Sequence, residues 1–162
     1  MNIGFIALGK LGSACAVAAA QRNFTIFGYD PATLDSLRLG LPSTFSDEPD
    51  IDNAWAEHKD RLHLCDTLQE VVDNCDLLFL SPPTPARGPH LEGSLPWKHD
   101  YQDFDYTHLA RCIGAVGRAI RKRDPANPIE VVIVSTVLPG TTRTALFPLF
   151  QVFYPLFPML VN

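Results

Sequence analysis

Positive charge is in short supply in this sequence. Its 13 Lys and Arg face 18 Asp and Glu, giving a formal net charge of −5. Affinity for a phosphate backbone comes from clustered cations, so nucleic acid is not an expected partner. Cysteine is sparse too: Cys15, Cys65, Cys75 and Cys112 stand apart, and no two form a C-x-x-C pair. Each falls in an apolar-periodic segment, the pattern of buried free thiols in a reducing, cytoplasmic setting rather than of a disulfide scaffold. Long apolar runs are missing as well. Met1 to Ala20 is alanine-rich, but it has no cation ahead of it, and Gly9, Lys10 and Gly12 break its middle, so it is not read as a signal peptide. After Arg143 no residue is charged, yet Pro148, Pro155 and Pro158 interrupt that run, so no membrane association is expected.

What is present suffices for one domain. The chain has 162 residues, 46% of them hydrophobic, and a domain of this size hides roughly two-thirds of the surface of its unfolded chain, with no metal or disulfide needed. Asn2 to Ile6 reads as a strand, followed by a glycine turn and an Ala-rich helix from Lys10 to Gln21. Phe24 to Tyr29 is a second strand, closed by Asp30-Pro31 and a short helix to Leu39. From Gly40 to Asp50 the chain turns irregular, and a helical stretch runs from Ile51 to about Lys59. Leu62 to Cys65 and Asp76 to Leu80 are further strands, separated by a helix whose start at Asp66-Thr67-Leu68-Gln69-Glu70 carries capping signals. A long loop, Ser81 to Gln102, precedes a helix from Asp105 to Lys122 with a 3.6-period apolar face and cations in its last turn. Ile129 to Ser135 is almost wholly β-branched, as in a strand covered on both faces. Strands alternating with helices imply right-handed crossovers and a parallel sheet with helices on both sides. Ligands on such sheets sit beyond the C-terminal strand ends.

The polar residues of interest fall at those ends. Ala7-Leu8-Gly9-Lys10-Leu11-Gly12 is a dinucleotide fingerprint with alanine in the first position. Gly9 lets a pyrophosphate touch the backbone, and Gly12 lets helix and strand pack closely. Alanine in the first position is tolerable if its φ stays negative. Asp30 ends the second strand, 18 residues after Gly12. An acid there accepts hydrogen bonds from adenosine ribose hydroxyls and repels a 2′-phosphate, which selects NAD over NADP. Ser81-Pro82-Pro83-Thr84-Pro85 and Ser135-Thr136-Val137-Leu138-Pro139-Gly140-Thr141-Thr142-Arg143 close the fourth and fifth strands. They put Thr84 and Thr136 on adjacent strand ends, near the nicotinamide half of a dinucleotide. Pro139-Gly140-Thr141 reads as a helix start. His90 and His99 lie in the long loop with Glu92 and Asp100, in no standard metal-ligand spacing, so a solvated loop without metal is expected. Trp97, Tyr101 and Phe104 are expected to pin that loop to the body.

These stretches carry a resemblance. Together with Gly28-Tyr29-Asp30, Glu48-Pro49 and Asp103-Phe104-Asp105-Tyr106, the sequence resembles the N-terminal NAD-binding domain of the UDP-glucose/GDP-mannose dehydrogenases, colinearly from residue 1 to the end. The segment from Ser135 to Arg143 is the most specific part. The resemblance implies a Rossmann-type doubly wound parallel sheet of about six strands, with residues 1–162 as the NAD-binding domain. It implies NAD as cofactor, held by Ala7, Gly9, Lys10, Leu11, Gly12, Asp30, Thr84, Ser135 and Thr136. Thr136 also matches the threonine that helps position the water of the second oxidation. Three departures stand out: Ala7 replaces a glycine, Leu34 and Asp35 stand where a basic residue is usual, and 17 residues separate Pro85 from Asp103.

In that family a glutamate, a lysine, an asparagine and a nucleophilic cysteine follow later in the chain. This sequence stops at Asn162, so the expectation is a truncated enzyme. It would lack the central dimerisation and C-terminal nucleotide-sugar domains, and it would bind NAD and turn over nothing. The longer form is expected to be a homo-oligomer that oxidises the C6 alcohol of UDP-glucose or a related nucleotide sugar. Two rival readings stay open. One is a β-hydroxyacid dehydrogenase-like domain, which shares the start of the chain but lacks the Ser135 to Arg143 segment. The other is a stand-alone, non-catalytic NAD-binding or interaction module.

Overall fold

The computed structural model describes residues 1–44, 46–85 and 104–154. Its elements run β1 (Asn2–Ile6), α1 (Lys10–Gln21), β2 (Thr25–Tyr29), α2 (Leu34–Arg38), α3 (Ile51–Glu57), β3 (Leu62–Leu64), α4 (Leu68–Asn74), β4 (Leu77–Leu80), α5 (Thr107–Ile120), β5 (Glu130–Ile133) and α6 (Phe147–Phe153). The pairings among these five strands are parallel, in the order β3-β2-β1-β4-β5. The chain winds outward from β1 in both directions, so the order reverses between β1 and β4, the place where open α/β sheets take ligands at their carboxyl ends. A sixth strand was expected in the C-terminal run, and it would lie in residues 155–162, outside the described residues.

Side chains that alternate along each strand feed two separate cores. Ile3 and Phe5 of β1 join Ile26 of β2 beneath α1, α2 and α3, with Ala16, Val17, Leu37 and Trp55. Ile6 joins Leu78 and Leu80 of β4 on the other face, with Val71 and Val72 of α4 and Leu109, Ile113 and Val116 of α5. The small residues of α1 let it lie close on the sheet. The capping expectation for α4 holds: Thr67 Oγ1 accepts from Glu70 N at 3.2 Å, and the Glu70 carboxylate accepts from Thr67 N at 3.3 Å.

Three expectations are corrected. β5 is not covered on both faces; its residues alternate between exposed and half-buried, and Val132 is 39% exposed. Among the described residues β5 stands at the edge of the sheet, a place that a β-branched composition cannot reveal. The cysteines are not uniformly buried: Cys65 and Cys75 are, while Cys15 and Cys112 are half-buried. The helix expected from residue 105 begins at Thr107, because the Asp105 carboxylate accepts from both Thr107 N and Thr107 Oγ1, at 2.9 and 2.6 Å. The proposed loop anchors Trp97 and Tyr101, with His90, His99, Glu92 and Asp100, lie outside the described residues.

The described part of the uncharged run after Arg143, residues 144–154, packs in part against α5. A π-helical turn, Thr142–Leu146, leads into α6. It widens the helix just before Pro148, whose missing N–H interrupts the i→i−4 ladder. Leu146 and Phe150 are buried against α5. Phe153 seats in a notch that Gly114 and Gly117 leave in α5: a Cβ on Gly117 would stand 2.6 Å from the Phe153 Cβ. The Arg118 guanidinium lies over the same ring, 5.1 Å from its centroid.

Two consequences can be measured. In an open helical position Gly→Ala gains up to about 1 kcal/mol. Gly117→Ala is instead expected to destabilise the domain by about 1–3 kcal/mol in urea melts, because the new methyl overpacks Phe153. Burial also pushes the Cys75 thiol from 9.0 up to about 12. The unfolded chain releases that proton near its ordinary value while the folded chain keeps it, so the stabilisation is complete below about pH 9. It is expected to be lost progressively as pH rises towards about 12. Denaturant midpoints across that range check it, and Cys75→Ala should flatten the decline.

Candidate functional site

Register brings the loop residues together. Ile6 pairs with Tyr29 on one side and Leu80 on the other, and Leu80 pairs with Ile133. Ala7, Asp30, Ser81 and Val134 therefore leave the sheet at one level, and the loops they begin face one another.

The turn after β1 is held from several sides. Ala7 N donates to the Tyr29 carbonyl at 3.0 Å. Ala7 has φ +71°, contrary to the expectation of a negative φ; the left-handed region costs a residue with a Cβ about 1–2 kcal/mol. Its carbonyl accepts from Ser81 Oγ at 2.7 Å. That same oxygen lies 2.1 Å from the place a Cβ on Gly12 would occupy, so glycine is obligatory there for close packing rather than for conformation. Leu8 N donates to Asp30 Oδ2 at 2.9 Å, and Ala32 N donates to Asp30 Oδ1 at 2.9 Å. Asp30 is accordingly buried, 9% exposed, at the mouth of β2. Thr33 Oγ1 donates to the Leu8 carbonyl at 3.4 Å.

Gly9 caps α1 in an extended conformation. The first helical bond runs from Ser13 N to the Gly9 carbonyl, so the amides of Lys10, Leu11 and Gly12 precede the ladder and form the positive end of the helix dipole. A Cβ on Gly9 would meet nothing within 4 Å, so the backbone is open to close approach from outside. Leu11 is half exposed beside it. Lys10 directs its ammonium away, to an ion pair with Asp47 of the irregular excursion, both side chains being well exposed. Asp47 holds the Lys10 ammonium above its usual range, while Lys10 draws the Asp47 carboxyl below its own.

The ends of β4 and β5 form a second cluster. Thr84 Oγ1 donates to the Thr136 carbonyl at 2.9 Å, and Ser135 Oγ donates to the Pro82 carbonyl at 2.6 Å. Tyr106, at the start of α5, accepts from Leu138 N at 3.1 Å through its hydroxyl, and Asp105 N donates to the Pro85 carbonyl at 2.7 Å. The Thr136 side chain is exposed at the strand end. Arg143 lies exposed in the wide turn that follows. Ser81 joins the two clusters. Sequence reasoning named Ser81 and Tyr106 only as parts of longer stretches; counting register from Ile6 and Leu80 would have singled out Ser81. Among the described residues no group of three or more His, Cys, Asp or Glu could hold a metal ion, and no helix is long and apolar enough to cross a membrane.

Residues 1–152 match the model of the UDP-glucose/GDP-mannose dehydrogenase family, NAD binding domain. The chain belongs to this family. It is 29% identical over 157 residues to GDP-mannose 6-dehydrogenase of Azotobacter vinelandii, a match covering 94% of this chain and 32% of that protein. The corresponding Pseudomonas aeruginosa enzyme is 24% identical over 155 residues, covering 93% of this chain and 32% of its own. Among solved structures, the ternary complex of GDP-mannose dehydrogenase from P. aeruginosa superposes with a TM-score of 0.77 at 24% identity, covering 96% of this chain and 33% of that one. UDP-glucose dehydrogenase from Pyrobaculum islandicum gives 0.71 at 28% identity, covering 93% and 32%. The chain thus spans about a third of the length of the curated relatives it matches.

Membership in this family makes NAD the cofactor, and the residues present fit it. The open backbone at Gly9 leads to the amides at the start of α1, and Asp30 stands beside them at the end of β2. Replacing Asp30 tests how far the turn depends on it. Asp30→Ala removes both acceptors, and Asp30→Asn sets an amide donor against one of two backbone donors. Each is expected to cost about 1–3 kcal/mol in chemical denaturation. Asp35→Asn, on the exposed side of α2, should stay within about 0.5 kcal/mol of the parent.

Proposed function

We infer that this chain is the cofactor-binding portion of an enzyme that oxidises the C6 alcohol of a nucleotide sugar to a carboxylate with two NAD. The observation that carries this reading is the Asp30 carboxylate bonded to the Leu8 amide, inside a family match covering residues 1–152. The roles follow the two clusters. The amides of Lys10, Leu11 and Gly12, with the open backbone at Gly9 and the turn at Ala7, receive the pyrophosphate at the positive end of α1. Asp30 accepts the adenosine ribose hydroxyls, and its negative charge disfavours a 2′-phosphate. Lys10 contributes its backbone rather than its ammonium, which Asp47 occupies. NAD, when bound, supplies the hydride acceptor.

Thr84, Ser135 and Thr136 border the nicotinamide half. Thr84 and Ser135 spend their hydroxyl protons on carbonyls of the neighbouring loop, which fixes the Thr136 backbone, and Thr136 is exposed at the strand end. From that place its hydroxyl orients a water for the second oxidation, as the family resemblance implies. A covalent cysteine adduct between the oxidations would need a nucleophile outside this chain. All four cysteines here have thiols that burial holds above their ordinary range, which suits packing and not attack.

For the sugar, UDP-glucose is the substrate we favour from the motifs. GDP-mannose is the second reading, supported by the names of both curated relatives. The full product of the gene, a homo-oligomer in this reading, should reduce NAD with one of the two nucleotide sugars. Reduction with neither removes the assignment.

The cofactor reading can be tested on the chain itself. Calorimetric titration is expected to give binding of NAD at least about tenfold tighter than of NADP, a difference of about 1.4 kcal/mol. No heat with either, or a preference for NADP, would overturn it. Asp30→Ala, kept below its lowered melting temperature, should lose most of that preference.

A further inference from the structure

Alanine at the head of the fingerprint raises a question of conformation that neither the family match nor the cofactor reading answers. At φ +71° a Cβ is unfavourable, yet the residue there is not glycine. The peptide unit that follows Ala7 is pinned at both ends. Its carbonyl oxygen accepts from Ser81 Oγ at 2.7 Å, and its N–H, that of Leu8, donates to Asp30 Oδ2 at 2.9 Å. The Ser81 hydroxyl also lies 3.4 Å from the Ile6 carbonyl. Close packing holds the arrangement from below: the Ala7 oxygen and Ser81 Oγ lie 2.1 and 2.8 Å from the position a Cβ on Gly12 would take. Ser81 is itself tied into the sheet, its N–H donating to the Ile6 carbonyl at 3.0 Å.

We propose that Ser81 is a positioning residue for the cofactor: its hydroxyl holds Ala7 in the left-handed turn and so sets the α1 amides and Asp30 in their mutual register. The proposal rests on the NAD reading above and assigns Ser81 no contact with the cofactor. Without the hydroxyl, Ala7 relaxes towards negative φ and the peptide plane between Ala7 and Leu8 rotates. The Leu8 amide then leaves the Asp30 carboxylate, so the pyrophosphate and ribose ends of the site lose alignment together. Glycine at position 7 would need no such clamp, because it adopts positive φ without a Cβ penalty.

The test is a cycle of four chains, wild type, Ser81→Ala, Ala7→Gly and the double variant, each titrated with NAD and melted thermally. Ser81→Ala is expected to weaken NAD binding by about tenfold, the upper range of one hydrogen bond. In the Ala7→Gly background the same change should cost less than about twofold. A merely structural hydroxyl would lower the melting temperature in both backgrounds and leave NAD affinity unmoved, or moved equally, at temperatures where the chain is folded. Wild-type binding with Ser81→Ala unchanged overturns the proposal and leaves the cofactor reading intact, as does a double variant no better than Ser81→Ala. A wild type that does not bind NAD removes the cofactor reading and this proposal together. If Ser81→Ala does not fold, Ala7→Gly and the double variant are compared directly. Agreement within about twofold supports the proposal, and a gap of about tenfold overturns it.

Discussion

One peptide group, between Ala7 and Leu8, governs how the carboxyl ends of β1, β2 and β4 meet. Its oxygen belongs to Ser81 of the β4 loop and its N–H to Asp30 at the end of β2. The plane of that peptide therefore decides where α1 begins, and with it the direction in which the first helical amides point. A rotation of one dihedral angle would move both the anion-binding end of the helix and the acid beside it. The close approach of the Ala7 oxygen to Gly12 makes the arrangement stiff, since any side chain on residue 12 would have to displace backbone.

The sheet makes such a cluster possible. Parallel pairing in a fixed register brings Ile6, Tyr29, Leu80 and Ile133 level, so every loop leaves the sheet at one height. Two cores, one on each face, hold that register: a slip of one residue would exchange Ile3 and Phe5 for Gly4 and Ile6, hollowing one core and overfilling the other, where a Cβ at Gly4 would already stand 2.6 Å from Leu78. Packing thus fixes the strands, and the strands fix the polar residues. The second cluster repeats the device, with Thr84 and Ser135 each donating across to the neighbouring loop.

Much of this was legible in the sequence. Period and capping signals located the elements to within a few residues, and Thr67 with Glu70 specified the start of α4 as it stands. The glycine turn and Asp30 were readable because their spacing is set by one helix and one strand. What stayed hidden depends on contacts between segments distant in the chain. The edge position of β5 among the described strands follows from sheet order, which β-branched composition does not encode. The positive φ of Ala7 was missed because local rules assign alanine a negative φ, whereas Ser81, which holds its carbonyl, is 74 residues away, and Asp30, which holds the next amide, is 22 residues from Leu8. The seat for Phe153 is a pair of glycines on α5, a notch visible only once α6 is laid against it.

The turn-holding bonds of Asp30 and the ribose role proposed for it are compatible on counting grounds. An ionised carboxylate offers about four acceptor sites. The Leu8 and Ala32 amides occupy two of them, one on each oxygen. Two sites remain, the number a vicinal pair of ribose hydroxyls requires. The backbone bonds also fix the carboxylate's orientation before any ligand arrives, so little side-chain entropy is left to lose on binding. A neutral amide could not serve, because one of its two heads would face a backbone donor with a donor of its own. The acid at the end of β2 is therefore required by the turn itself, and the cofactor role proposed above would use the two sites that the turn leaves free.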